Sequence, residues 1–485
     1  MMRSGSEYRA ALKDDREIYV DGSRVEGVGD HPAFSGIVNT IAGLYDYAAD
    51  PANDMTYTAP ETGRDANKVF MLPRSREDLE QRRRAITAWA ELSHGFVGRS
   101  PDHVGAFVAA FAGSSDVFTR PERDFGAHVT SYYERILDES LYVSYAIIPP
   151  QYSRATSASG WEGDFLQVGV VEERPDGIIV RGSQMLGTAA AVSDEVLISC
   201  VKPLTPDDKD FAVTFVLPVA TPGLKFYCRR PYATGQPSSY DYPMSTRFDE
   251  SDALLVFDDV FVPWERVFVD RDVAGLRTQF FDTGAHVLGN SQAQIRLVTK
   301  LKFLLGVARK VTQVNGIDKF PQVQENLGEL ASMAALVEGA VLAAEYASAL
   351  DERGVCRPAA RYVYGAMGQQ ASLYPRVLHI IRELVGGGVL QVPSSIKEMT
   401  NPVTRADMDR YVQSPGTSSE ERVKLFKLAW DVVGSEFAGR HHQYEMFYAG
   451  APFVAKGYAY RGYDYSEPLA TVDAFLASYS IESTS

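Results

Sequence analysis

The spacing of apolar residues predicts helices in the first part of the chain. Apolar side chains recur at three- and four-residue intervals in residues 6–12, 34–47 and 75–90, as in helices that bury one face. Ser75 and Asp78 stand where a helix cap would place them. We therefore expect residues 1–141 to form a mostly α-helical domain.

The pattern then changes to short runs that are typical of strands. These runs are rich in β-branched and aromatic residues and are separated by turn residues such as Pro175, Asp176 and Gly177, whose glycine suits a tight hairpin. They lie at residues 165–171, 177–182, 195–199, 211–216 and 253–257. This alternation predicts a compact β-domain over residues 142–275.

Long amphipathic patterns return after residue 280. They predict helices at residues 292–313, 321–353, 359–386 and 419–448, and the alanine-rich stretch 331–349 favours close packing within and between subunits. We therefore expect residues 276–485 to form a C-terminal helical bundle that also serves oligomerisation. The resulting order of helices, strands and helices makes the fold class α+β.

Composition and charge exclude several classes of protein. The chain has 485 residues, 45% of them hydrophobic, and a net charge of -15, which disfavours non-specific binding to nucleic acid or anionic membranes. Its three widely spaced cysteines argue against a disulfide framework. Neither a signal-peptide core nor an apolar run long enough to cross a bilayer is present, so we expect a cytoplasmic protein.

The common cofactor and catalytic motifs do not fit this chain. Gly27-Val28-Gly29 does not extend to a dinucleotide-binding motif, and the Walker lysine pattern and the Gly-x-Ser-x-Gly elbow are missing. Glu91 and His94 form one Glu-x-x-His pair where a di-iron bundle needs two, so we expect no metal. A nucleotide cofactor would have to be held by another fold.

One group of polar residues could form a site. Ser100-Pro101-Asp102 is typical of a helix start, and Arg99 and His103 are four residues apart across it, so both could face one anionic oxygen. Tyr145 lies in the apolar stretch 141–154, which ends in Pro149-Pro150 and could form the wall of a pocket. Each of the three residues also has an ordinary structural explanation, so their residue types alone leave a shared site open.

Several ordered segments together resemble a known family. The chain is similar to the flavin-dependent aromatic hydroxylases of the 4-hydroxyphenylacetate 3-monooxygenase type, oxygenase component, over nearly its whole length. The resemblance is carried by YRAALKDDREIY (8–19), HPAF (31–34), GRSPD (98–102), residues 146–154, YDYPMSTRFDE (240–250), FDDVFVPWE (257–265) and residues 430–445. Seven segments in one order are more specific than any single motif.

The resemblance implies a fold and an activity. The fold would be acyl-CoA dehydrogenase-like, with an N-terminal helical domain, a central β-barrel domain and a C-terminal helical bundle in a homotetramer. The enzyme would use O2 and reduced FAD, delivered by a separate NAD(P)H:flavin reductase. It would hydroxylate a phenol ortho to its hydroxyl through a flavin C4a-hydroperoxide. The substrate would be a small phenol or one attached to a carrier.

The resemblance also assigns site residues. The phenol oxygen would be met by Arg99 and by the residues at positions 103 and 145. FAD contacts would come from Gln151, Tyr152, Ser153, Arg154, Thr188, Phe437, Ala438, Gly439 and Arg440. Thr188 is the FAD contact that the resemblance assigns most firmly.

The chain departs from the family pattern at two of these positions. The family usually has Tyr at position 103 and His at 145, whereas this chain has His103 and Tyr145. An imidazole and a phenol could still bracket one oxygen. We therefore expect Arg99 to stabilise the phenolate, His103 to act as general base or hydrogen-bond partner, and Tyr145 to orient the oxygen. The substrate itself does not follow from the family.

Two other functions remain open from sequence. A lyase or dehydrogenase on the same scaffold, like the 4-hydroxybutyryl-CoA dehydratases, would need an iron-sulfur cluster held by three Cys and one His, and Cys200, Cys228 and Cys356 lie elsewhere in the sequence. A non-catalytic flavin or ligand binder is disfavoured by Arg99 and Thr188.

Overall fold

The first part of the chain is mainly helical but also supplies strands to the central sheet. The computed structural model describes residues 2–153, 155–233 and 238–479. Its first elements are α1 (Gly5–Ala11), β1 (Glu17–Val20), β2 (Ser23–Arg24), α2 (Ser35–Ala49), β3 (Thr56–Thr58), β4 (Asp65–Asn67), α3 (Arg76–Leu92), α4 (Pro101–Ala112), β5 (Thr119–Arg120), β6 (Arg123–Asp124) and α5 (Phe125–Glu139). Strand β1 was not predicted by the helical pattern of residues 1–141.

The middle of the chain forms most of the two larger sheets. Its elements are β7 (Val143–Ala146), β8 (Gly169–Arg174), β9 (Gly177–Gln184), β10 (Glu195–Ile198), β11 (Thr214–Pro218), β12 (Leu224–Cys228), α6 (Ser245–Phe248), β13 (Ala253–Pro263) and β14 (Val267–Val269). One sheet has the order β2-β1-β12-β13-β9-β8 and the other β14-β11-β10-β7. Strand β1 runs parallel to β12, and Tyr19 stacks on Tyr227 with ring centroids 5.2 Å apart.

The two sheets do not close into a barrel. In the part of the chain that the structure describes, each sheet is an open ladder with two edges, so the expectation of a central β-barrel is corrected. The residues at the edges of the larger sheet explain why no further strand pairs with it in the described chain. Strand β8 ends in exposed Glu172, Glu173 and Arg174, and β2 exposes Ser23 and Arg24. Charged, exposed edges disfavour further strand pairing.

The last part of the chain is a helical bundle. Its elements are α7 (Val273–Asp282), α8 (Ala285–Val314), α9 (Pro321–Tyr346), β15 (Ala349–Leu350), β16 (Cys356–Arg357), α10 (Ala360–Val385), α11 (Ile396–Thr400), α12 (Pro402–Tyr411), α13 (Ser419–Val433), α14 (Glu436–Met446), α15 (Pro452–Arg461) and α16 (Ser466–Ala477). The division at residues 141 and 275 stays a prediction, because β1 and β2 of the first segment join the central sheet.

Two of the predicted C-terminal helices end earlier than expected. The helix predicted for residues 321–353 ends at Tyr346, where the β15–β16 hairpin begins. The helix predicted for residues 419–448 is two helices, α13 and α14. A Cβ on Gly434 would lie 2.3 Å from the Trp430 ring, and the Ser435 hydroxyl accepts a hydrogen bond from the Ala438 amide to start a new helix.

A buried ion cluster ties the bundle to the loop before α4. Arg296 and Lys300 of α8 are buried and pair with Glu445 of α14. Glu445 Oε1 lies 2.8 Å from Arg296 Nη1 and 2.8 Å from Lys300 Nζ. Arg296 also donates to the Gly95 carbonyl oxygen at 2.7 Å. Because all three charges lie out of water, each depends on its partners.

Glu445→Gln is expected to destabilise the bundle by about 3–5 kcal/mol, because it leaves two buried cations without a carboxylate. The measurement is the shift of the urea unfolding midpoint. Glu338→Gln is the matched control, since Glu338 pairs with Lys302 of α8 at the surface, and its effect should stay below about 1 kcal/mol. Equal shifts for the two variants would contradict this role of Glu445.

Candidate active site

The start of α4 places Arg99 and His103 together. Pro101 is the first residue of the helix, as predicted, but the Ser100 side chain makes no capping hydrogen bond. The backbone amides of Gly98 and Arg99 instead donate to Glu250 Oε1 at 2.9 and 2.7 Å. A buried carboxylate from the segment before β13 therefore fixes the loop that carries Arg99.

The Arg99 guanidinium is a buried cation among aromatic rings. Its Cζ lies 4.2 Å from the Tyr448 ring centroid, 5.1 Å from that of Tyr145 and 5.2 Å from that of Tyr444. Within residues 2–153, 155–233 and 238–479, no carboxylate forms an ion pair with this side chain. Burial alone would lower the pKa of Arg99, but the tyrosine hydroxyls and Glu250 raise it above its usual value. The side chain therefore stays charged although no described carboxylate pairs with it.

His103 is held as a neutral imidazole. Its Nε2 lies 2.9 Å from Arg99 Nη1, and its Nδ1 lies 3.1 Å from Gln292 Oε1 and 3.3 Å from the Tyr448 hydroxyl. Burial and the neighbouring Arg99 charge lower the pKa of His103 well below its usual range. Of the two roles expected for His103, hydrogen-bond partner therefore fits this geometry better than general base.

Tyr145 completes the predicted cluster. It lies on β7, which pairs in parallel with β10, and its ring centroid is 5.4 Å from that of His103. Burial raises the pKa of nearby Tyr448 to about 12, so that phenol is protonated at neutral pH. The structure thus brings Arg99, His103 and Tyr145 into one place, with the imidazole and the phenol on neighbouring sides of the guanidinium.

Two of the residues expected at FAD, Thr188 and Arg440, form a second polar cluster. The Thr188 hydroxyl, in the loop after β9, donates to Asp252 Oδ1 at 2.7 Å. Arg440 of α14 pairs with Asp252 Oδ1 at 2.9 Å and with Glu250 Oε2 at 3.0 Å. Thr188 and Arg440 therefore meet on one carboxylate, although they are far apart in sequence.

The stretch that contains the other expected FAD contacts runs beside this cluster. Ile148 accepts a hydrogen bond from the Met185 amide at 2.8 Å, which places the following residues next to the Thr188 loop. Ser153 accepts a hydrogen bond from Lys202 Nζ at 3.3 Å, and the Tyr152 ring lies 5.7 Å from that of Trp161. Gln151 is exposed in the same segment. Arg154 lies outside the described residues.

The expected α14 contacts differ from one another in exposure. Phe437 and Ala438 are buried, and Phe437 stacks on Phe96 with ring centroids 5.7 Å apart, so these two side chains fill the core. Gly439 is exposed, and a Cβ there would meet nothing within 4 Å. Of residues 437–440, only Gly439 borders open space, while Arg440 is held in its ion pairs.

Four residues at the site were missed from sequence. Glu250, Gln292, Tyr444 and Tyr448 contact the predicted residues from distant elements. Only the spacing of Arg440, Tyr444 and Tyr448 at intervals of four gave a usable signal, since it places them on one side of a helix. Glu250 uses one carboxylate oxygen for the Arg99 loop and the other for Arg440. It joins the two clusters.

Comparison with known proteins identifies the family to which this fold and site belong. Family models described as 4-hydroxyphenylacetate 3-hydroxylase N terminal and C terminal match residues 4–269 and 276–477. The chain belongs to the 4-hydroxyphenylacetate 3-hydroxylase family.

Known relatives are similar in sequence to nearly the whole chain. It is 35% identical to the 4-hydroxyphenylacetate 3-monooxygenase oxygenase component of Thermus thermophilus, over 98% of both chains. A Streptomyces globisporus monooxygenase, named for a 3-amino-3-(3-chloro-4-hydroxyphenyl)propanoyl group on a peptidyl-carrier protein, is 34% identical over 92% of this chain and 85% of its own. A solved 4-hydroxyphenylacetate 3-monooxygenase oxygenase component, complexed with FAD and 4-hydroxyphenylacetate, superposes with a TM-score of 0.93 at 34% identity, covering 98% of both chains.

A more distant solved structure shares the fold alone. The 4-hydroxybutyryl-CoA dehydratase of N. maritimus superposes with a TM-score of 0.86 at 19% identity, over 94% of this chain and 91% of its own. Here all three cysteines are buried, and Cys200 follows β10 whereas Cys228 lies in β12 and Cys356 in β16. Among the described residues, no three His, Cys, Asp or Glu side chains are grouped to hold a metal ion. The dehydratase-like alternative is therefore not favoured.

His103→Gln is expected to reduce the acid sensitivity of the fold. The folded-state pKa of His103 is lowered, so below about pH 6.5 the unfolded chain takes up a proton that the native site refuses. The free energy of unfolding decreases as the pH falls, and His103 contributes at most about 1.4 kcal/mol per pH unit to this decrease. The check is the thermal midpoint between about pH 6.5 and 5, a range above that in which Glu445, with a pKa of about 2, protonates.

The matched control for this pH dependence is His379→Gln, because His379 is exposed on α10. This variant should keep the slope of the unmodified chain. A slope that is unchanged in His103→Gln would mean that position 103 does not contribute to acid sensitivity.

Proposed function

We propose that the protein is the oxygenase component of a two-component, FAD-dependent monooxygenase that hydroxylates a phenol ortho to its hydroxyl group. The observation that carries this function is the buried Arg99 cation, which has aromatic neighbours and no carboxylate partner among the described residues. A phenolate supplies both the anion and the flat ring that this place accepts. Family membership and the FAD-bound and substrate-bound relative support the same activity.

Arg99 would act on the phenol by favouring its ionised form. A guanidinium donates charge-assisted hydrogen bonds to the phenolate oxygen, which makes the ring a better nucleophile. His103 accepts from Arg99 Nη1 and so orients the guanidinium. The Tyr145 hydroxyl is our candidate for a further hydrogen bond to the same oxygen. Bound reduced FAD would activate O2 for transfer to this ring.

The second cluster fits a flavin by the chemistry of its polar groups. The Thr188 hydroxyl gives its proton to Asp252, so its oxygen can accept a hydrogen bond from a ring N–H. Gln151, Tyr152 and Ser153 add amide, aromatic and hydroxyl groups beside the Ile148–Met185 contact, and Gly439 leaves open space. A flat aromatic ligand needs such a surface with a few directed hydrogen bonds. Thr188 is our first candidate for FAD contact.

The apolar stretch between the clusters would keep water out. Pro149 is buried, while Ile147, Ile148 and Pro150 are half-buried. An activated oxygen species is lost to water unless it is shielded, so these side chains would favour transfer to the phenol. We assign them to the wall between phenol and flavin.

The substrate class includes free and carrier-linked phenols. The relatives' names contain both a free phenolic acid and a chlorinated phenol on a peptidyl carrier. A separate flavin reductase is proposed as the functional partner, because the relatives are oxygenase components.

We also propose a homotetramer, with domains at residues 1–141, 142–275 and 276–485, in the cytoplasm. Exposed apolar side chains support an assembly: α9 exposes Leu336 and Tyr346, and α16 exposes Phe475. By length and composition alone α9 could cross a membrane. Its four glutamates favour packing against another subunit instead.

Sedimentation of the purified chain is expected to give about four times 53.4 kDa. The reason is that apolar patches of this kind are usually covered in the native assembly. A monomeric mass at micromolar concentration would contradict the assembly without touching the proposed chemistry.

The activity test mixes the protein with chemically reduced FAD, O2 and a panel of phenols, and follows flavin spectra and hydroxylated product. Arg99→Met should weaken phenol binding by about 10- to 100-fold while FAD binding is kept, because it removes a charge-assisted hydrogen bond. Thr188→Val should weaken FAD binding while phenol binding is kept. Arg174→Met, at an exposed ion pair of β8, is the matched control.

Absence of phenol-dependent product with every phenol in the panel would overturn the proposed function. Equal loss of FAD and phenol binding in Arg99→Met and Thr188→Val would contradict the division into two clusters.

A further inference from the structure

A chain of buried hydrogen bonds leads from Arg99 to Asp102 through two neutral side chains. Arg99 Nη1 lies 2.9 Å from His103 Nε2, His103 Nδ1 lies 3.1 Å from Gln292 Oε1, and Gln292 Nε2 lies 2.8 Å from Asp102 Oδ2. All four side chains are buried. Gln292 comes from α8, so the chain links the bundle to the start of α4.

The chemistry of the two ends sets the direction of every bond. A guanidinium can only donate, so His103 Nε2 must accept and Nδ1 must carry the proton. The Nδ1–H group needs an acceptor, so Gln292 turns its oxygen to His103 and its NH2 group to Asp102 Oδ2. Both neutral groups therefore have one orientation that satisfies all their neighbours.

We propose that Gln292 is a positioning residue that holds His103 in the Nδ1–H tautomer, so that Nε2 orients Arg99 for the phenol oxygen. This inference rests on the proposed function of Arg99. Asp102 acts at the other end by fixing the amide orientation of Gln292. A phenol at position 103 would not require such a partner, since only an imidazole has two neutral tautomers and a cationic form.

The alternative tautomer explains why Gln292 matters. With the proton on Nε2, His103 and Arg99 would present donors to each other, and one side chain would have to move. Tyr448 cannot replace Gln292 well, because its hydroxyl is 3.3 Å from Nδ1 and also donates to the Gly98 carbonyl at 3.4 Å. Loss of the amide would thus free the imidazole to turn away from Arg99.

The same chain leaves Arg99 without a direct carboxylate partner. Two neutral groups separate Arg99 from Asp102. Direct pairing with a carboxylate would satisfy the guanidinium and compete with a phenolate. The relay therefore orients the buried cation through neutral groups alone.

The first test reads the tautomer directly in the full-length protein. Histidine labelled with ¹⁵N gives different Nδ1 and Nε2 signals for the two neutral tautomers and the imidazolium, and His103→Gln assigns the signal of residue 103. We expect one neutral Nδ1–H tautomer at neutral pH. A signal of the Nε2–H tautomer, of the imidazolium or of an average of the two tautomers would overturn the inference.

The second test changes the hydrogen bonds but keeps the volume. Gln292→Met should mix the tautomers and weaken phenol binding about tenfold, since it removes a buried acceptor. In the double variant Gln292→Glu with Asp102→Asn, the acceptor at Nδ1 and a donor at residue 102 are both present again. This variant should restore the Nδ1–H tautomer and bind phenol more tightly than Gln292→Met.

A role in packing alone predicts the opposite order. Methionine would then preserve phenol binding, and the double variant, which moves a buried charge, would be the worse of the two; either result would overturn the inference. FAD affinity serves as the control for folding. If the unmodified chain shows the Nδ1–H tautomer but binds no phenol, the proposed function fails while the tautomer assignment stands.

Discussion

The structure of the site depends on keeping one positive charge buried without a direct counter-charge. Moving a guanidinium out of water is costly unless hydrogen bonds and nearby charges compensate. Arg99 receives this compensation from the His103 nitrogen and three tyrosine rings. The buried carboxyl groups nearby have other partners. Glu250 accepts hydrogen bonds from backbone amides and pairs with Arg440, and Asp102 accepts a hydrogen bond from Gln292. Glu445 pairs with Arg296 and Lys300.

A short acidic segment then couples the two clusters. Glu250 and Asp252 lie just before or at the start of β13, and both reach Arg440. Glu250 also holds the loop of Arg99, and Asp252 also takes the proton of Thr188. A flavin at Thr188 and a phenol at Arg99 would thus share one rigid support. The distance between flavin and phenol would then be set by side chains that need not contact either of them.

The parts of the site that sequence predicted are those with local signals or a family resemblance. Arg99 and His103 followed from spacing across a helix start and Tyr145 from the apolar stretch 141–154, whereas Thr188 needed the resemblance. Gln292 is 189 residues from His103 and reaches it only through the packing of α8 on α4, so spacing could not reveal it. In the fold, the long helices and the strands β8, β9, β10, β11 and β13 were predictable from periodicity. Sheet closure and the break between α13 and α14 were not, because they depend on edges and on the space beside Trp430.

The break at Gly434 and Ser435 also sets the helical phase of α14. Each residue turns an α-helix by about 100°. On this helix and the turn after it, Arg440, Tyr444 and Tyr448 line the side toward the two clusters, while His441 and Glu445 line the side toward Lys300. Inserting or deleting one residue at the break would rotate both rows together and present the wrong row to each neighbour. The length of this junction is thus as constrained as the identity of the residues that follow it.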